Sequence, residues 1–444
     1  MSATQADGSG RGTVVGEVES FLKDAIARLE PEQTPQQRHP GRPRILPSLC
    51  LWAGMLMCVL QGFGSQLALW RLIADRGLWS YPRFPLSDQA IYKRLARAGT
   101  AALEQLFAQI TQLLAPRLAP YAIPGLAPFA SSVVVLDETT LDPVARTLPL
   151  LRKVLAGDDV LLPGKLAGLF DIRHQQWLRL EHIEDPRQNE KVAARQMLAG
   201  LARGALVLFD LGYFGFAWFD DLSDAGHHYV CRLRQKTSYK VIHTFYQIGD
   251  CFDAIVYLGA YRADRCEHAV RLVRFTVGTT TYSYITNMLE PATLSMADIA
   301  RLYGYRWDIE LAFKLIKREL GLHLLWSAKP VVVLQQVWAV LIISQVLQAL
   351  RLEIAGRAGV DVFDVSMALL VQYAPRMAAS GDDPVSIFVD RGRQFAYIRP
   401  SRRIRRQVPH IEPDQIIPLP PAIALRRSAR HAGRNCGPRP AKAN

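Results

Sequence analysis

Two short apolar runs, rich in β-branched residues and each ending in an aspartate, constrain this 444-residue chain more than any other feature. Ser132-Val133-Val134-Val135-Leu136-Asp137 and Ala205-Leu206-Val207-Leu208-Phe209-Asp210 show no polar alternation, the mark of strands covered on both faces. Residues 166–171 and 177–183 read as two further strands around the polar turn His174-Gln175-Gln176, and Pro186 reads as the opening of a helix to about Gly200. Residues 227–287 are rich in Tyr, Val, Thr and Phe with short turns, which predicts an antiparallel insertion. A carboxylate at the end of a buried strand needs a partner. If the two strands lie side by side, Asp137 and Asp210 meet at the carboxyl edge of one sheet, where α/β proteins place their sites. The plainer alternative is that each aspartate caps the turn that follows it.

A third element bears on that choice. From about Met296 the pattern is helical, continuing as one helix or a broken pair to about Gly321. On a straight helix Tyr303, Arg306, Glu310 and Lys317 fall within roughly 60° of one another at about 100° per residue. Leu302, Ile309, Phe313, Ile316 and Leu320 form an apolar stripe beside them. A surface salt-bridge ladder is the ordinary explanation of such a face, but it leaves open why Glu310 sits among cations next to the buried stripe. Glu138, Asp142, Asp308 and Glu319 are nearby acids that rank below Asp137, Asp210 and Glu310; in a continuing strand Glu138 points opposite to Asp137.

Charge is unevenly spread. The net charge is +13, yet residues 391–444 hold 13 Lys and Arg against two acids, so the preceding chain is nearly neutral. A basic tail on a balanced body suits phosphate backbones, or serves solubility alone. The six cysteines are scattered without CxxC pairs, which fits a reducing cytoplasm and argues against a thiolate metal site or a disulfide scaffold. No HExxH pattern supports a zinc hydrolase. The polar N-terminus does not read as a signal peptide, and the apolar runs 49–60 and 331–350 read as buried helices because one is too short to span a membrane and the other carries three glutamines.

Before the first aspartate, residues 46 to about 125 read helical. Ser87 offers a cap for a helix presenting Gln89, Lys93 and Arg94, either a recognition helix or an ordinary amphipathic one. Gly41-Arg42-Pro43-Arg44 is either a minor-groove hook through Arg42 and Arg44 or a basic linker.

The spacing Tyr303-x2-Arg306-x3-Glu310-x6-Lys317 resembles the YREK signature of DDE transposases of the fourth insertion-sequence family. Leu136-Asp137-Glu138-Thr139 and Phe209-Asp210-Leu211-Gly212-Tyr213-Phe214 are similar to that family's first and second acidic contexts, though Leu211 stands where many relatives have Arg. The resemblance covers roughly residues 130–350. It implies an α/β fold with an RNase H-like catalytic core over 129–350, interrupted by a β-rich insertion at about 227–290. Around it are expected a polar segment at 1–45, a helical candidate DNA-binding region at 46–128 and a helical C-terminal region with a basic tail at 351–444. It further implies cleavage of double-stranded DNA at transposon ends and joining to target DNA, with Asp137, Asp210 and Glu310 holding two Mg²⁺ (or Mn²⁺) ions and Asp137 shared between them. Tyr303, Arg306 and Lys317 would hold terminal phosphates, Tyr282 or Tyr284 would stack an extruded base, and Arg232, Arg234, Lys236 and Lys240 would line the DNA track. A homodimer in a paired-end complex, acting in the cytoplasm at the nucleoid, is the implied working form. A related nuclease that does not join, and a decayed end-binding regulator, are the alternatives.

Overall fold

The computed structural model describes residues 46–78, 82–123, 125–141, 164–260, 264–322, 325–327, 329–401 and 408–427. Arg42 and Arg44, the segment 1–45, Asp142 and the end of the basic tail lie outside the described residues. The chain is a mixed α/β structure built on one nine-stranded sheet, ordered β3-β2-β1-β4-β5-β9-β8-β7-β6.

The first half of that sheet follows the buried runs. β1 (Val133–Thr140) pairs antiparallel with β2 (Lys165–Asp171), which pairs antiparallel with β3 (Gln176–Ile183). On its other side β1 runs parallel to β4 (Leu206–Leu208), and β4 parallel to β5 (His228–Arg232). β1 does not stop at Asp137 as expected; it continues to Thr140 because its partner β2 supplies ladder positions as far as Lys165. The helix expected from Pro186 starts later, at Glu190, because the Asn189 side chain accepts a hydrogen bond from the Lys191 N–H and so sets the first turn.

Residues 227–287 divide differently from the expectation. His228–Arg232 is a parallel strand of the main sheet, and only β6 (Tyr239–Ile248), β7 (Cys251–Leu258), β8 (Val270–Val277) and β9 (Thr280–Thr286) form the antiparallel meander. The meander joins the main sheet through β9 on β5. Inside it Arg271 donates to both carboxylate oxygens of Asp253 and to the Leu294 carbonyl, a buried pair with its hydrogen bonds satisfied.

Helices cover the sheet. α1 (Ser48–Leu60), α2 (Gln66–Arg71), α3 (Asp88–Arg97) and α4 (Ala101–Leu118) precede it. α5 (Glu190–Leu198) and α6 (Phe216–Asp224) lie on one face, and α7 (Met296–Tyr305) and α8 (Trp307–Lys314) on the other. Behind them runs α9 (Pro330–Ala358), followed by α10 (Met367–Ala379) and α11 (Pro384–Arg391). α9 is long and apolar enough to cross a membrane, but 83% of its most apolar stretch is buried by the protein itself. Its glutamines explain the interruptions in that stretch. Gln345 accepts from the Trp177 N–H and donates to the Trp177 carbonyl and Thr111 Oγ1, while Gln335 donates to the Leu95 and Ala98 carbonyls at the end of α3. They are keys that join the helical N-terminal part to β3.

The C-terminal region is less helical than expected. Residues 408–427 are mostly extended and lie along the meander, with the Ile417 N–H donating to the Phe245 carbonyl and the Ala269 N–H to the Leu425 carbonyl. Two arginines of the basic tail are used there: Arg426 pairs with Glu267 and Asp224, and Arg427 donates to the Leu258 carbonyl.

Replacing Gln345 with Leu leaves the Trp177 amide and carbonyl without partners in the core, at a cost of about 2–4 kcal/mol. Thermal melting of Gln345→Leu should show a clear loss of stability, while the exposed Ile248→Ser should melt within a degree or two of wild type.

Candidate active site

The parallel register of β1 and β4 sets the site. Val133 stands opposite Leu206 and Val135 opposite Leu208, so two residues further along Asp137 comes alongside Asp210. Asp137 keeps a hydrogen bond from the Glu138 N–H at 2.9 Å, and Asp210 Oδ1 accepts from the Gly212 N–H at 2.8 Å. Asp210 thus caps the short turn that follows it, as the plainer reading proposed, whereas Asp137 lies inside β1 and accepts from the next amide of its own strand.

Glu310 arrives on α8. The helical stretch is a broken pair: α7 ends at Tyr305, Arg306 occupies the break, and α8 passes at Leu315 into a π-helical turn (Leu315–Glu319). A single straight wheel from Tyr303 to Lys317 is thus not what forms, because the break and the wider π turn both alter the phase. The four side chains nevertheless converge on one region. The Arg306 guanidinium donates to Glu310 Oε1 at 2.7 Å and lies 3.9 Å from Asp137 Oδ2. Lys317 Nζ donates to Thr139 Oγ1 at the end of β1 and lies 3.4 Å from the Thr140 carbonyl. Tyr303 is buried against Tyr284, ring centroids 4.9 Å apart, with Arg306 over its face.

The electrostatic strain is resolved at Asp137. Burial pushes the Asp137 carboxyl up to about 7, and the carboxylates of Asp210 and Glu310 add to the rise while Arg306 opposes it. Burial lowers the Lys317 ammonium, which the Asp137 carboxylate partly restores. Among the described residues no three His, Cys, Asp or Glu side chains stand close enough to hold a metal ion as they are. The Arg306 guanidinium lies within ion-pair range of both Asp137 and Glu310.

A second acidic group beside Asp210 went unread in the sequence. Glu138 forms a 2.5 Å ion pair with Lys165, each side chain only 7% exposed, and Glu190 at the start of α5 crowds Gly212 so closely that a Cβ there would meet its Oε2 at 2.3 Å. Burial and the neighbouring Asp210 raise both glutamates, and Lys165 opposes the rise. The signal available was Lys165 at the head of a buried strand; its partner depends on a pairing register that no local pattern reveals.

The remaining candidates scatter. Lys93 is exposed on α3, but Arg94 beside it donates to the Leu46 carbonyl and to Ser48 Oγ, so its guanidinium serves to anchor the start of α1 rather than an open face. Arg234 lies over the Phe214 ring and donates to the Leu211 carbonyl, Lys236 sits in the turn between β5 and β6, and Lys240 is exposed on the edge strand β6. Tyr284 is a buried core aromatic, and Tyr282 stacks on Phe275 at a centroid distance of 5.6 Å. Asp308 turns inward and accepts from Gln175.

Comparison with known proteins finds transposases. Residues 165–346, which include Asp210 and Glu310 but not Asp137, match the family model described as Transposase DDE domain. Two curated relatives are similar to part of the chain. "Putative transposase y4zB" of Sinorhizobium fredii is 29% identical over 152 residues, which is 33% of this chain and 42% of the relative. "Transposase InsG for insertion sequence element IS4" of Escherichia coli is 27% identical over 167 residues, 35% of this chain and 37% of the relative. The matches thus span about two fifths of the length of these relatives. Among solved structures, a piggyBac transposase synaptic complex with hairpin DNA aligns over 90% of this chain and 85% of its own at 11% identity, with a TM-score of only 0.35. The resemblance to DDE transposases of the IS4 kind is therefore shown for the central segment of the chain.

The raised Asp137 sets a pH dependence. Its carboxyl ionises near 3.8 in an unfolded chain and near 7 in the fold, so the folded state holds the proton more tightly. Stability from this group is full below about pH 4 and lost as pH rises through 7. With divalent ions chelated, wild-type Tm should fall between pH 5 and 8 by more than the Tm of Asp137→Asn. Equal slopes would show that Asp137 is not strained in this way.

Proposed function

We propose that this chain is a transposase that cuts DNA at transposon ends and joins the freed ends to target DNA. The observation that carries the reading is the β1–β4 register, which brings Asp137 beside Asp210 while Arg306 ties Glu310 to the same point. The order β3-β2-β1-β4-β5, with β2 alone reversed among the neighbours of β1, supports an RNase H-like core. The meander β6–β9 is then the insertion between the second and third acids.

The three carboxylates form an all-oxygen donor set on separate elements, which suits Mg²⁺ or Mn²⁺ rather than a thiolate-seeking metal. When bound there, divalent ions would supply an activated water or 3′-hydroxyl and relieve charge on the leaving oxygen. Asp137, Asp210 and Glu310 would hold them, and a cation there would offset the burial that raises the Asp137 carboxyl. Arg306 supplies positive charge between Asp137 and Glu310 and is placed to turn toward a phosphate oxygen when the acids have other partners. Lys317, held at the end of β1, and Tyr303 flank the same phosphate position. The helices before β1, with Lys93 exposed, and the basic tail are proposed to hold double-stranded DNA. A homodimer pairs two ends, and the protein works in the cytoplasm at the nucleoid.

The test uses the full-length protein and DNA carrying the natural flanks of its reading frame. Mg²⁺ or Mn²⁺ should support cutting and joining of a pre-cut 3′ end. Asp137→Ala, Asp210→Ala and Glu310→Ala should each lose at least about a hundredfold in rate while still binding DNA. Normal cutting by any of the three would refute the assignment; cutting without joining would favour a nuclease, and binding without cutting by the wild type a regulator.

A further inference from the structure

Beside the acids lies an open groove of about 1250 Å³, bounded on one side by β5 and β9, floored by α7 and α8, and closed on the other side by residues 363–367 and 399–401. That volume exceeds the roughly 300–1,000 Å³ of small-molecule pockets and points to an extended occupant. Arg232 and Arg399 are exposed on its opposite walls, and Arg306 lies between them with its guanidinium on Glu310. In the middle Trp307 is 55% exposed, with the Arg306 guanidinium 5.7 Å from its ring centroid on one side.

The wall that carries Arg399 is built into the fold. Ile398 is buried and bridges Val365, the Ser366 N–H donates to the Tyr397 carbonyl, and the Arg399 N–H donates to the Asp364 carbonyl. The two acids of the groove are already engaged, Asp308 by Gln175 and Asp364 by the Ser401 N–H. Arg351 is committed as well, to the Val365 carbonyl and the Phe363 ring. Gln175 and the Ser401 N–H are neutral donors that leave both carboxylates charged, but the four arginines lining the groove, Arg232, Arg306, Arg351 and Arg399, outnumber its two acids, so positive charge is in excess there.

We propose that this groove carries a single, unpaired DNA strand leading away from the acidic site, stacked on Trp307 and tracked by Arg232 and Arg399, so that the C-terminal segment forms one wall of the DNA path. The inference rests on the DNA-cutting reading and names which form of DNA meets this face. A duplex presents phosphates but hides its base faces, leaving Trp307 unused; a single strand presents both, and a positive groove with an open aromatic platform is how sequence-tolerant single-strand sites are made.

The experiment measures fluorescence anisotropy of a labelled 20-nucleotide oligo-dT and of a 20-base-pair duplex with full-length protein, divalent ions chelated. Both variants alter exposed positions, and thermal melting checks that they fold. Arg399→Glu and Trp307→Ala should each weaken oligo-dT binding about tenfold while changing duplex binding less than twofold. Trp307→Phe, which keeps an aromatic face, should recover most of the loss. Wild-type affinity for oligo-dT in both variants, or an equal loss for duplex and single strand, would overturn the proposal. Failure of the underlying reading looks different: the wild type would cut no DNA with Mg²⁺, whatever these variants bind.

Discussion

Carboxylates repel one another, and this fold forces several of them together where burial deprives them of water. β1 and β4 run parallel in a register that aligns Asp137 with Asp210, and α8 brings Glu310 to the same edge. Such an arrangement persists by holding a proton or by gaining positive charge. Arg306 supplies part of it, bonded to Glu310 and within ion-pair range of Asp137, and the Asp137 carboxyl still rises to about 7. Much of the surrounding structure can be understood as support for this point. Lys317 is anchored to the end of β1, and the Glu138–Lys165 pair neutralises the neighbouring acid on the strand. Between α7 and α8 Arg306 keeps right-handed helical dihedrals, so it meets Glu310 at the i,i+4 spacing of a helix.

Support also comes from farther away. α8 packs its apolar side on the sheet through Phe313, which meets Trp177 at 4.8 Å. Trp177 is in turn held by Gln345 of α9 through both its backbone groups. A buried polar key of this kind adds little net stability but specifies one packing of helix on sheet, because every other packing leaves its partners unsatisfied. The acid-bearing helix is thus positioned by the same glutamine that keeps α9 from reading as a continuous apolar span.

How much of this was legible in the chain follows from how local each signal is. Buried strands announce themselves by composition, so the runs ending at Asp137 and Asp210 were visible, as were the apolar runs 49–60 and 331–350 within the helices Ser48–Leu60 and Pro330–Ala358. The grouping of Tyr303, Arg306, Glu310 and Lys317 was visible as a spacing, though the wheel assumed a straight helix and the real one breaks and widens. Long-range pairing was not legible. His228–Arg232 looks like any strand of the meander until its parallel partner β4 is known. Glu138 looks like a bystander until β2 delivers Lys165, and Arg94 looks like a surface cation until it is found on Leu46 and Ser48. The extended course of 408–427 is set by its fit along β6 to β8, for which its own sequence carries no period.

The central claim is that Asp137, Asp210 and Glu310 together hold divalent ions. The most direct measurement replaces Mg²⁺ with Fe²⁺ and maps where locally generated hydroxyl radicals cut the polypeptide. The account predicts scission near residues 137, 210 and 310, suppressed by excess Mg²⁺ and lost in Asp210→Ala. Scission elsewhere, or an unchanged pattern in Asp210→Ala, would contradict it.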